Sequence, residues 1–208
     1  PSSQYQRGGR AYAISWTDAS GNFWLFGGYG LASNYNTIKD VSLNDLWKYN
    51  PSTAEWAWVS GDSLNGQHGV YGTKGIPSSQ NKPGGRAGAV SWTDASGNFW
   101  LFGGYGLAGS GGILNDLWKY NPSTGEWAWV SGDNITGQPG VYGPKGTAAS
   151  TNKPGARRDA ISWTDASGNL WLFGGSGFAS SRTQGSLNDL WKYNPLTNLW
   201  TWVSGDHT

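Results

Sequence analysis

Three sets of residues in this 208-residue chain repeat at a spacing that could serve chemistry. Asp45, Asp116 and Asp189 each sit in an Asn-Asp-Leu-Trp sequence. A carboxylate there can ligate a metal or, more simply, cap nearby backbone N–H groups. Arg10, Arg86 and Arg157 fall at one point of each repeat. Their guanidinium groups can ring a channel and hold an anion, or act as structural anchors that bond the carbonyls of neighbouring loops. Asp18 heads a turn ending at Asn22, which looks like a calcium loop but lacks the alternating carboxylates calcium needs. That turn also looks like a sialidase Asp-box with one residue too many between Asp18 and Gly21. Histidine occurs only at His68 and His207, with no repeated partner, which excludes a symmetric imidazole site. Cysteine is absent, and with it disulfides, thiolate metal sites and cysteine nucleophiles. Nine of the 13 acidic residues belong to the repeated turns and strands, so no carboxylate pair is left for acid–base work. These residues predict a non-enzymatic protein with no catalytic residue, no metal and no cofactor.

The elements that must position these residues come from an internal repeat. The sequence of residues 15–32 returns unchanged at 91–108, and with few changes from Ser162. Leu-Asn-Asp-Leu-Trp-Lys-Tyr-Asn-Pro begins at Leu43, Leu114 and Leu187, and Trp-Val-Ser-Gly-Asp at Trp58, Trp129 and Trp202. The three arginines are spaced by 76 and 71 residues, and all 15 tryptophans fall into five equivalent positions per repeat. The repeats divide the chain at 1–62, 63–133 and 134–208, the second and third each including a preceding long loop. In the first repeat, aromatic and branched residues bounded by Gly, Pro, Asn and Asp predict strands over 11–16, 23–27, 45–49 and 55–59. No segment of ten residues has a 3.6-residue apolar period, so no helix is expected. Asp18–Asn22 and Asn50–Thr53 read as hairpin turns. The connections after Gly28 and after Gly61 are long and variable. Alternation of tight and long connections predicts one architectural face and one variable face.

The pattern resembles the Kelch repeat, and looks most like bacterial Kelch arrays. It has an Arg in the first strand (Arg10, Arg86, Arg157), a Gly-Gly doublet closing the second (Gly27-Gly28 and equivalents), a Tyr in the third (Tyr49, Tyr120, Tyr193) and a Trp in the fourth (Trp56, Trp127, Trp200). The resemblance implies an all-β propeller with three four-stranded blades per chain. Three blades cannot close a ring, and their end faces would expose aromatic surface beyond what a soluble monomer tolerates. A homodimer closing a six-bladed ring is therefore expected. Pro1-Ser2-Ser3-Gln4 matches Pro77-Ser78-Ser79-Gln80, so the chain is expected to begin and end in equivalent loops. Near-identical repeats and the absence of Met point to a segment excised or engineered from a longer repeat protein.

A net charge of +1 without a basic stripe argues against nucleic acid, and no apolar stretch is long enough to be a membrane-spanning helix. The expected partner is a second copy of the chain, with a protein or glycan as a further ligand. Tyr71 and Tyr142, in the Gly-rich loops, and Tyr29 and Tyr105, in the other long connections, are the candidate partner contacts, since Tyr, Ser, Gly and Asn suit adaptable binding loops. The same Gly-rich loops fail as phosphate cradles because they open no helix. The repeated tryptophans can present a sugar-stacking surface, but their fixed strand positions suit core packing.

Overall fold

A computed structural model describes residues 8–31 and 41–208. The described chain is all β, in three antiparallel sheets in sequence order, with no helix. The first sheet contains β1 (Arg10–Ala11), β2 (Ile14–Thr17), β3 (Phe23–Gly30), β4 (Val41–Asn50) and β5 (Glu55–Ser60). The second contains β6 (Arg86–Ala87), β7 (Val90–Thr93), β8 (Phe99–Leu107), β9 (Gly111–Asn121) and β10 (Glu126–Ser131). The third begins with β11 (Ala148–Ala149), from the long connection, and continues with β12 (Arg157–Arg158), β13 (Ile161–Thr164), β14 (Leu170–Phe178), β15 (Gln184–Asn194) and β16 (Leu199–Ser204). None of the sheets closes on itself, and their face-to-face stacking is consistent with a β-propeller-like fold.

Alternating side chains point to opposite faces of a strand, and here both faces of the middle sheet are covered. One apolar layer joins Trp16, Trp24, Phe26 and Leu46 of the first sheet to Phe99, Leu101, Trp118 and Trp127 of the second. The other joins Trp92, Trp100, Phe102 and Leu117 of the second sheet to Leu170, Leu172, Trp191 and Trp200 of the third. The two layers are copies of one another. Phe26 meets Trp127 at 5.5 Å between ring centroids, and Phe102 meets Trp200 at 5.6 Å. Trp16 Nε1 donates to the Trp100 carbonyl at 3.3 Å, and Trp92 Nε1 to the equivalent Trp171 carbonyl at 2.9 Å. A backbone ladder runs alongside, from Gly88 N to Tyr12 O (3.0 Å) and from Asp159 N to Gly88 O (2.8 Å).

Three details depart from the sequence-based expectation. The first strand of each repeat is broken in two, because Tyr12, Gly88 and Asp159 take left-handed backbone (φ 56°, 64° and 56°). The Gly-Gly doublet does not end the second strand. It lies inside β3, β8 and β14 as a register shift opposite the third strand. A Cβ at Gly103 would stand 2.5 Å from the Arg157 carbonyl, so the bare backbone lets the next sheet approach. Nor is the long connection of 61–85 a free face. It runs along the outer edge of the second sheet, where Ser78 bridges to Trp127 and Gly75 N donates to the Trp129 carbonyl at 2.7 Å. Its counterpart forms β11 against β16. Part of the first repeat's other long connection (32–40) and the Pro1–Gln4 match lie outside the described residues.

Candidate functional site

The repeated arginines and aspartates find one another. Arg86 lies on β6 and Asp116 on β9, two elements separated in sequence and brought together by β8 between them. Arg86 forks onto Asp116, with Nη1 at 2.6 Å from Oδ1 and Nη2 at 2.8 Å from Oδ2. Its remaining donors reach the carbonyls of Gly84 (3.0 Å) and Gly103 (3.1 Å). Arg157 does the same with Asp189, and Arg10 with Asp45. The carbonyl contacts match the anchor role expected of the arginines. The aspartates were expected to cap backbone N–H groups. Instead they take a bidentate guanidinium, which neutralises their charge where water cannot.

The same carboxylates gather two more donors. Trp118 Nε1 donates to Asp116 Oδ2 at 2.7 Å, and the Tyr71 hydroxyl donates to that oxygen at 2.7 Å. In the third sheet Trp191 and the Tyr142 hydroxyl (2.5 Å) serve Asp189. Each tyrosine ring leans on two indoles, Tyr71 on Trp118 and Trp129, Tyr142 on Trp191 and Trp202. Tyr71 and Tyr142 were expected as partner contacts. Instead the loops that carry them turn inward and spend both hydroxyls inside their own sheets. Burial, then the adjacent carboxylate of Asp116 or Asp189, raises both phenols well above their usual range. Burial opposes ionisation of Asp189, but the bonds and charge of Arg157 prevail and hold its carboxyl below the ordinary value.

The turn carboxylates are also spoken for. Asp18 Oδ1 accepts from the backbone N of Ser20 and Asn22, both at 2.9 Å, and Oδ2 from Trp24 Nε1 at 2.9 Å. Asp94 and Asp165 repeat the pattern, and hydrogen bonds from Asn169 and Trp171 bring Asp165 down to about 2. Among the described residues no three His, Asp or Glu gather at metal-binding range. His68 Nδ1 bonds the Ala108 carbonyl, and the His207 ring lies against Trp202 and Tyr142. Of the tryptophan anchors, Trp127 and Trp200 are buried and Trp56 is partly buried.

Open surface with mixed chemistry lies elsewhere. Tyr29 and Tyr105 are half exposed, on strands β3 and β8 and not in the loops where they were expected. Tyr105 borders a cleft of about 450 Å³ shared with Ile113, Thr136, Arg158, Phe178 and Gln184. A second, of about 270 Å³, lies among Tyr12, Tyr29, Tyr105, Arg158 and Asp159. Arg158 touches both clefts and pairs with Asp159 at 2.8 Å. Arg158 was not among the candidate residues read from the sequence. The informative signal was the departure from Ala11-Tyr12 and Ala87-Gly88 at the same two positions.

No family model matches this sequence, and no curated protein matches it. A solved structure described as that of YjhT is similar over 94% of this chain, with a TM-score of 0.58 and 18% identity. This chain spans 52% of the length of that one, and at such identity the likeness concerns the fold alone.

Proposed function

We propose that this chain is a non-enzymatic, self-assembling unit that pairs with a second copy of itself to close a six-bladed, Kelch-like propeller. The observation that carries this reading is the match between its two end faces. Ile161, Trp163 and Phe173 on the outer face of the third sheet are 62%, 43% and 40% exposed. Their counterparts Ile14, Trp16 and Phe26, and Val90, Trp92 and Phe102, are all at or below 8%. On the outer face of the first sheet Phe23 is 48% exposed, whereas Phe99 and Leu170 are fully buried. Each end thus presents the half of the interlayer contact that the other end lacks. Burying one such side chain is worth about 1.5–3 kcal/mol. A head-to-tail pair related by a two-fold axis makes that contact twice and leaves no end exposed. The engaged carboxylates and arginines support the non-enzymatic part of the reading.

Light scattering across a dilution series tests it. A mass twice the 22.3 kDa of the chain is expected. A monomer at all concentrations, with the fold intact by circular dichroism, overturns it.

A second reading has its own observation. Tyr105 beside Arg158, Gln184 and Thr136 offers an aromatic platform with polar neighbours, as carbohydrate recognition requires. A glycan-array screen in which Tyr105→Ala abolishes every hit supports it, and an array with no hits removes it.

A further inference from the structure

The two sheet junctions inside the chain are built from equivalent residues, but at one corner they differ in kind. Where the second sheet meets the third, the cleft of about 450 Å³ opens beside Tyr105, Gly112, Arg158, Phe178 and Gln184. By repeat position and strand register, the first junction carries Tyr29, Val41, Ala87, Leu107 and Gly111 at those places. The tyrosine is kept. Valine gives way to glycine, alanine to arginine, leucine to phenylalanine and glycine to glutamine. These four differences give the second junction a chemistry that the first lacks. Every residue lining its cleft belongs to the second or third sheet or to the loop between them, so the site depends on neither end of the chain.

The four differences act together. Gly112 leaves the backbone bare, where a Cβ would stand 2.9 Å from the Thr136 Cβ. Tyr105 reaches the cleft from one sheet and Phe178 from the other. Arg158 Nη1 donates to Asp159 Oδ2 at 2.8 Å. Asp159 borders the neighbouring cleft of about 270 Å³ but does not line this one. It therefore holds the guanidinium from the far side, and Arg158 Nε and Nη2 have no acceptor among the described residues. The exposed Gln184 adds an amide donor to the same cleft.

We infer that this cleft binds a small aromatic carboxylate, its ring between Tyr105 and Phe178 and its carboxylate on Arg158 and Gln184. The open edge of a guanidinium offers parallel N–H donors that match two carboxylate oxygens. Two aromatic side chains from opposite walls give a planar ring offset-stacked or edge-on contacts. The volume lies within the roughly 300–1,000 Å³ typical of small-molecule sites. A neutral glycan has no use for the free guanidinium edge, so this reading is separate from the carbohydrate one, and it does not require ring closure.

The test uses the full chain and para-fluorophenylacetate, whose fluorine resonance reports the ligand alone. Saturable binding in the millimolar range or tighter is expected. The neutral para-fluorophenylacetamide should bind about tenfold more weakly, the value of one hydrogen bond between charged groups. Arg158→Ala and Phe178→Leu each install the residue that the first junction carries at that place, side chains this architecture already accepts. The first should weaken binding about tenfold and the second about threefold, with circular dichroism unchanged. Absence of saturation at millimolar probe, equal binding of acid and amide, or an Arg158→Ala chain that binds as tightly as the parent would each overturn the site.

Discussion

The Tyr71 and Tyr142 hydroxyls show how a residue's chemistry can be set by the course of its loop and not by its neighbours in sequence. A tyrosine among glycines has the composition of a binding loop, and nothing local reports that the loop turns inward. Removing one hydroxyl has a definite cost: Tyr71→Phe should lower unfolding free energy by about 1.5–3 kcal/mol, because the lost bond goes to a charged acceptor. Arg86→Ala should cost about 3–5 kcal/mol, since it strands a buried carboxylate. Chemical denaturation reads both. The same groups set a pH dependence. Tyr71, Tyr142, Tyr120 and Tyr193 are all raised above the ordinary phenol value, Tyr120 to about 12 and chiefly by burial. The unfolded chain therefore loses these protons first. Their contribution is complete below about pH 10 and declines as pH rises above it. The urea midpoint should fall in that range, and fall less in a Tyr71→Phe, Tyr142→Phe double variant. The arginine anchors were legible from spacing alone. Their partners were not, because Arg86 and Asp116 lie 30 residues apart and meet only through the sheet.

At the scale of elements, strand positions were legible wherever aromatic and branched residues were bounded by turn residues. Where the backbone departs from regular geometry, the sequence misled. Gly27-Gly28 looks like a strand end because glycine weakens strands, yet the pair sits inside β3 as a shift that admits the neighbouring sheet. Gly103→Ala should therefore destabilise on two grounds, a φ of 66° and a carbonyl 2.5 Å from the new methyl, and a thermal melt should register the loss. The long connections also behave as structure. Val70 N and Lys82 N exchange hydrogen bonds with each other's carbonyls, and Ser78 N bonds the Trp127 carbonyl. Amide exchange at Val70, Ser78 and Lys82 should be slowed to rates near those of β10. Random-coil rates there would contradict the described course of the loop.

For the whole molecule, three repeated sheets and their order could be read from the chain directly, because the repeat is near-identical and the tryptophans hold fixed positions. The pairing of faces could not, since periodicity shows which residues share a face but not which neighbour covers it. If the end faces meet in a second copy, charge placed there should separate the copies. Ile161→Asp and Phe23→Asp should each reduce the scattering mass to that of one chain. Leu196→Ser, on an exposed turn, should leave it unchanged.

The two interlayer contacts are copies, and this has a consequence for how the chain reaches its native state. The forward face of the first sheet fits the rear face of the second, and because the sequences nearly coincide it fits the rear face of the third about as well. During refolding, molecules at high concentration can therefore dock out of frame, one chain's sheet inserting between two sheets of another. Such mispaired species retain native-like strands and nearly native contacts, so they are slow to dissolve. Refolding yield should accordingly depend on dilution far more than on temperature.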